Sequence, residues 1–398
     1  MDSLIDDAKT IQDELVWLRH RLHREPEVGL ELPRTQEKVL AALDGLPLEI
    51  TLGASLSSVV AVLRGARPGP AILLRADMDA LPITERSGVD YTATGPRMHA
   101  CGHDLHTTML VGAARLLAAK ADRLAGDVVL MFQPGEEGYD GAGHMIAEGV
   151  LDAAGHRAVA AYAIHVASSG TPYGVFRSRP GPMLSGGDMV VVTVLGLGGH
   201  GSAPHRAKDP VVAACAMVSA LQVMVTRTVD VFDPVVISVG TFHAGTAANI
   251  IPDVATFEAT VRTFSQATRA RVRDAVAATC HGIARAYGLE VEVDYREGYP
   301  VTVNDSGEAD FLAGTVRDLH GEERFSQLPT PLTAAEDFSR VLDQVPGALV
   351  MLGACSSGTD PFSVADNHSP LAIFDDGVLA DGAALYAGLA LRRLERDR

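Results

Sequence analysis

Asp77, Asp79, Cys101, His103, Glu136, Glu137, His165 and His368 are of the types that bind metal ions or move protons, and all but the cysteine–histidine pair follow apolar runs. AILLRADMDALP (71–82) carries both aspartates, DVVLMFQPGEEG (127–138) both glutamates, and VAAYAIHV (159–166) ends near His165. The apolar run at 347–352 leads through a polar stretch to His368, and MHACGHDLH (98–106) places Cys101 and His103 at the start of a helical pattern. In open α/β sheets, ligand sites form outside the carboxyl ends of the strands. Several strands ending in such groups point to one polynuclear metal centre.

Each residue alone has a plainer reading. A lone Cys-Gly-His is more often a buried thiol beside a turn histidine. Here the glycine lets the backbone turn between the two donors, and the following helix N-terminus favours a thiolate. An isolated Glu-Glu pair is usually a solvated turn. After Pro134-Gly135, adjacent side chains diverge, so one carboxylate can meet metal while the other faces substrate. His165 alone is a core histidine and His368 alone an exposed loop histidine. The shared pattern favours ligation.

These groups need a scaffold larger than one core. At 398 residues two domains are the default. Hydrophobic residues make up 47%, and no stretch approaches the ~20 apolar residues of a membrane span. The start, MDSLIDDAKT, lacks a signal-peptide apolar region, so a cytoplasmic location is expected. A formal charge of −17 argues against nucleic acid and anionic membranes as partners. Four dispersed cysteines without CxxC read as free thiols.

Periodicity predicts helices at 1–24, 32–43, 105–124 (with Asp104 as N-cap), 142–151 and 377–395, and strands at 57–65, 71–76, 128–132 and 159–164. This alternation predicts a mostly parallel sheet covered by helices. From 187 to 298 the order becomes βαββαβ, a ferredoxin-like unit. The expected architecture is therefore a discontinuous α/β catalytic domain, 1–186 and 299–398, with an inserted lid and dimerisation domain at 187–298. All five candidate metal ligands fall on the discontinuous host.

The motifs RHRLHREPEVGLEL, LLRADMDALPITE, MHACGHDLHTTMLVGAARLL, FQPGEEG with GAGHMIAEGVL, AIHV, GLGGHGSAPHRAKDP, ANIIPD with VRTF, AAEDF and NHSP span the chain from about Arg19 to His368. In this series the chain resembles the M20 metallohydrolases, in particular the subfamily of aminoacylases, hippurate hydrolases and auxin-conjugate amidohydrolases. The resemblance implies two divalent metals (Zn, Co or Mn) held by Cys101, His103, Glu137, His165 and His368, with the sulfur of Cys101 between them. It makes Glu136 the general base and Asp79 an outer carboxylate that orients a ligand. DMDALP puts Asp77 where other branches carry a metal histidine, and His103 stands in for that imidazole. His200 is implied as an oxyanion donor, often supplied across a dimer, and Asn249 and Arg262 as contacts to the substrate carboxylate. Arg suits a planar carboxylate through paired N–H donors.

Hydrolysing an amide at neutral pH needs a nucleophile, an electrophile and an acid for the leaving amine. A divalent metal supplies the first two by acidifying water and polarising the carbonyl, and Glu136 would move the proton. The function expected is hydrolysis of N-acyl-L-amino acids, small-molecule substrates, by a homodimer joined through the inserted domain. The alternative in the same class is a dipeptidase or carboxypeptidase. A cysteine hydrolase with Cys101 as nucleophile lacks an orienting third group, and a non-catalytic binding module leaves Glu136 without a task. The RHRLH segment matches the family but has no role at this level.

Overall fold

The computed structural model describes residues 2–396, so Met1 of the expected first helix and the last two residues of the expected host lie outside the described residues. The chain forms two compact units, Met1–Met183 with Val303–Thr330 and Arg340–Arg398, and Leu184–Thr302 with Pro331–Ser339. The segment Pro331–Ser339, assigned to the host in the sequence, groups with the smaller unit.

The larger unit opens with helices α1 (Asp2–Thr10), α2 (Gln12–Arg24) and α3 (Pro33–Leu43). Strands β1 (Leu48–Leu52), β2 (Val59–Leu63) and β3 (Arg67–Asp77) lead to helix α4 (His103–Ala118), followed by β4 (Ala125–Gln133), β5 (Ala158–Ala167) and β6 (Phe176–Ser178). The single helix expected at 1–24 is interrupted at Ile11, which leaves helical dihedrals with φ −103° and ψ 6°.

Eight strands form one sheet in the order β1-β2-β4-β3-β5, then Gly347–Gly353, β6 and Phe325–Gln327. The centre, β4-β3-β5 and Gly347–Gly353, is parallel, whereas β1 and β2 pair antiparallel at one side. From Ala71 to Asp77 every residue of β3 is buried, as in a sheet covered on both faces. Helix α4 packs its apolar length among Leu15, Tyr386 and Leu389 in the same core.

Gly102, not Asp104, precedes α4. It is left-handed at φ 83°, and a Cβ there would lie 2.3 Å from Val166 Cγ2. The expected cap at Asp104 is therefore corrected: that side chain sits in the first turn of α4 and faces the protein interior.

The smaller unit has an antiparallel sheet in the order Val236–Ala244, Val254–Thr263, Gly186–Leu195, Glu290–Tyr299. With helices Pro210–Thr228 and Gln266–Tyr287 the chain order is βαββαβ. Burial alternates along Gly186–Leu195, and Val190, Val192 and Val194 form its core with Met217, Leu221, Val272 and Val276. Asp209 and Ser265 cap the two helices by accepting the amides of Val211 and Thr268. Contrary to the sequence reading, Pro210–Thr228 is long and apolar enough to cross a membrane by length and composition, but one of its faces is packed in this core.

Candidate active site

The carboxyl ends of the central parallel strands gather the candidate residues. β3 ends at Asp77, with Asp79 just beyond; β4 ends at Gln133, and a left-handed Gly135 (φ 75°) delivers Glu136 and Glu137. His165 lies near the end of β5, opposite Met351 of Gly347–Gly353.

Asp79 organises the glutamate loop. Its two carboxylate oxygens accept the backbone amides of Glu136 and Glu137, each at 3.0 Å. The oxygen that accepts the Glu136 amide also lies 3.4 Å from His103 Nδ1. Asp79 is fully enclosed, so these contacts are held without competition from bulk water.

Cys101 Sγ is 3.4 Å from His165 Nε2. His165 Nδ1 donates to the Val166 carbonyl at 2.8 Å, which leaves the Nε2 lone pair facing the sulfur. His368 takes a left-handed backbone (φ 67°) and donates its amide to the Ala100 carbonyl at 2.8 Å. Its Nε2 lies 3.0 Å from Glu137 Oε1, out of alignment for a hydrogen bond.

The donor atoms of Cys101, His103 and His165 lie within 4.8 Å of one another, as do those of Cys101, Glu137 and His368, and those of His103, Glu136 and Glu137. The five metal-ligand candidates therefore converge with Glu136 in one unit of the fold. Buried Nδ1 and Nε2 of His103 and Oε1 of Glu137 have no hydrogen-bond partner. Orphaned donor atoms beside a thiol, imidazoles and a carboxylate fit a divalent transition metal, which such ligands suit better than they suit Mg²⁺ or Ca²⁺.

The groups of this cluster compensate one another's charge. Burial raises the Cys101 thiol, but His165 and His103 outweigh it and hold the group well below its usual range. Burial lowers His103, yet Asp77, Asp79 and Cys101 carry it well above its ordinary value. Cys101 and Glu137 push His368 up to about 10.

Asp77, His103 and His106 also stand close enough to suggest a ligand triad. His106 is already committed, however: Nδ1 donates to Asp77 Oδ1, and Nε2 accepts the Val166 amide at 2.7 Å. Burial, opposed by Asp77, pushes it down to about 4. Oδ2 of the same Asp77 pairs with Arg75 at 2.7 Å and lies 3.6 Å from His103 Nε2. Neutral His106 thus ties the end of β3 to the residue after His165. Asn367 is a second tie, donating to the Cys101 and Val166 carbonyls at 3.3 and 3.1 Å. Sequence reasoning missed both; Asn367 had a signal in its place beside His368 in NHSP, and His106 in its place in MHACGHDLH.

The remaining candidates stand on the smaller unit. His200 and Asn249 are exposed neighbours: His200 pairs with Ile250, and the Gly201 amide donates to the Asn249 carbonyl at 2.8 Å. His200 Nδ1 accepts the Ser202 amide at 3.1 Å, so its Nε2 carries the proton. Arg262 is separate from this pair, half-buried on Val254–Thr263 opposite Gly187.

The sequence profile of peptidase family M20/M25/M40 matches residues 73–392. The chain belongs to this family. As an M20 member it is a hydrolase that acts on amide bonds. It is 36% identical to thermostable carboxypeptidase 2 of Saccharolobus solfataricus over 98% of both chains. It is likewise 36% identical to hippurate hydrolase of Campylobacter jejuni over 99% of this chain and all of that protein. The crystal structure of Bacillus subtilis YXEP, described as a dinuclear metal-binding peptidase of the M20 family, superposes with a TM-score of 0.83 at 29% identity, covering 97% and 99% of the two chains.

Proposed function

We propose that this M20 enzyme hydrolyses the amide of N-acyl-L-amino acids to a carboxylate and a free amino acid, using two divalent metals. The observation that carries the reading is Cys101, which belongs to two donor groups at once, one with His103 and His165 and one with Glu137 and His368. A sulfur shared in this way suits a ligand between two cations. Zn, Co and Mn are the candidate metals. Bound there, the cations would acidify a water and polarise the scissile carbonyl.

The protein's own groups would do the rest. Glu136, its backbone fixed by Asp79, would take the proton of the attacking water and return it to the leaving amine. His200 presents an N–H at Nε2, the form needed to donate to a developing oxyanion. Asn249 and Arg262 would receive the substrate carboxylate. The inserted unit would serve as lid and dimer contact, since Val236–Ala244 is an edge strand with Val236 and Phe242 exposed.

A carboxypeptidase is the second reading, favoured by the equal identity to the Saccharolobus solfataricus protein of that name. A hydrolysis screen separates the two. N-acyl amino acids, varied in each half, are compared with peptides under defined Zn²⁺, Co²⁺ and Mn²⁺. Preference for the acyl substrates is expected; release of C-terminal residues from peptides with no acyl amino acid cleaved would overturn the first reading.

A further inference from the structure

The RHRLH segment, which the chemistry above leaves unused, reaches the metal pocket from behind. Arg19 and His23 stand four residues apart on α2 and so share one face, which is buried. Both end on one oxygen: Arg19 Nε and His23 Nδ1 each lie 2.8 Å from Asp104 Oδ2. Asp104 directly follows His103 in the first turn of α4.

The network is braced on its outer side. Arg19 also donates to Tyr91 and, at 3.1 Å, to Asp376, while His23 Nε2 lies 3.1 Å from Glu85. Burial disfavours charge on His23, but its two carboxylate neighbours, Asp104 and Glu85, raise it above its ordinary value. An apolar packing of similar volume would often be no less stable than such a buried ion cluster. This one costs more than usual, because it leaves the second oxygen of Asp104 buried without a partner.

Its position gives the cluster a use. Cys101 and His103 are separated only by left-handed Gly102, where any Cβ would collide with Val166 of β5. Asp79 and Asp77 face His103 from the strand side. On the helix side, the handle on this turn is the side chain of Asp104.

We propose that Arg19 and His23 are positioning residues that hold Asp104, and with it the first turn of α4, so that Cys101 and His103 are presented to metal in a fixed geometry. The inference rests on the reading of Cys101 and His103 as ligands. Outer partners of this kind are typically worth about 10–100-fold in metal affinity or activity.

The test uses the full chain loaded with Co²⁺. Metal release to excess chelator is timed, and the thiolate-to-cobalt absorption band reports the Cys101–metal geometry. Arg19→Met and His23→Gln are expected to release cobalt about 10–100-fold faster with a shifted band, while keeping the wild-type circular dichroism. Arg393→Met, which breaks the buried Glu308 pair in the same unit, is expected to lower Tm and leave release and band unchanged. If Arg19→Met does not fold, Arg19→Lys and His23→Gln decide. Folded variants with wild-type release and an unshifted band overturn the proposal. A Cys101→Ser arm separates the two levels: if it loses cobalt while the Arg19 and His23 variants hold it normally, only the positioning role falls. If Cys101→Ser itself retains both metals unchanged, the ligand reading falls and the positioning role with it.

Discussion

One carboxylate oxygen of Asp79 accepts the amide of Glu136 at 3.0 Å and lies 3.4 Å from Nδ1 of His103. A single buried side chain therefore sets the loop that carries the proposed base and faces a proposed ligand. Asp79→Asn replaces one acceptor oxygen by an N–H₂ group, which must confront the backbone amide of Glu136 or that of Glu137 whichever way it turns. The expected result is a loss of about 10–100-fold in kcat, with circular dichroism unchanged. Steady-state kinetics check it; wild-type kcat would remove Asp79 from this role.

Glu136→Gln keeps the shape of the side chain and removes its basicity. Metal content should match wild type, while kcat falls by about 10²–10⁴, the range ascribed to general acid–base catalysis. Elemental analysis and turnover on one N-acyl amino acid suffice. A variant within a few-fold of wild type would exclude Glu136 as the base.

His106 is a prediction about stability. His106→Leu strips the Val166 amide of its acceptor and Asp77 of a donor, both deep in the core. A cost of roughly 2–5 kcal/mol follows from leaving such groups unsatisfied. Denaturant titration would measure it, and a loss below 1 kcal/mol would mean that the region repacks.

His320 gives a pH signature away from the site. Burial pushes it down from 6.5 to about 4, against the pull of Asp381. Between those values the unfolded chain binds the extra proton, so stability falls as pH drops from 6.5 toward 4 and is recovered as pH rises. His320→Gln, which cannot titrate, should lose less stability over that window, by up to about 3 kcal/mol. Parallel pH–stability curves for the two proteins would contradict this.

Much of the fold was legible because the sheet centre leaves so little freedom. The runs that become β3, β4 and β5 are apolar almost throughout, as strands covered on both faces must be. The βαββαβ unit announced itself through alternation. β1 did not: four of its five residues are exposed, and its pairing with β2 supplies what its side chains do not encode. The site followed the same division. The candidates at strand ends could be grouped from sequence, because topology brings strand ends together. Asp104 was misread as a cap because an Asp before an apolar helix has that local meaning, while its partners, Arg19 and His23, are 85 and 81 positions away. His106 was missed for a similar reason: its two partners are a strand-end carboxylate and a backbone amide, neither of which is visible in local periodicity.

The central claim is that Cys101, His103, Glu137, His165 and His368 hold a pair of catalytic cations, and metal-dependent turnover tests it most directly. The purified enzyme is stripped by exhaustive chelation, its residual metal is quantified, and hydrolysis of an N-acyl amino acid is followed as Zn²⁺, Co²⁺ or Mn²⁺ is titrated back. The account predicts no turnover in the stripped protein, recovery that saturates at two metals per chain, and reduced stoichiometry in Cys101→Ser. Full turnover in protein verified to be metal-free would contradict it.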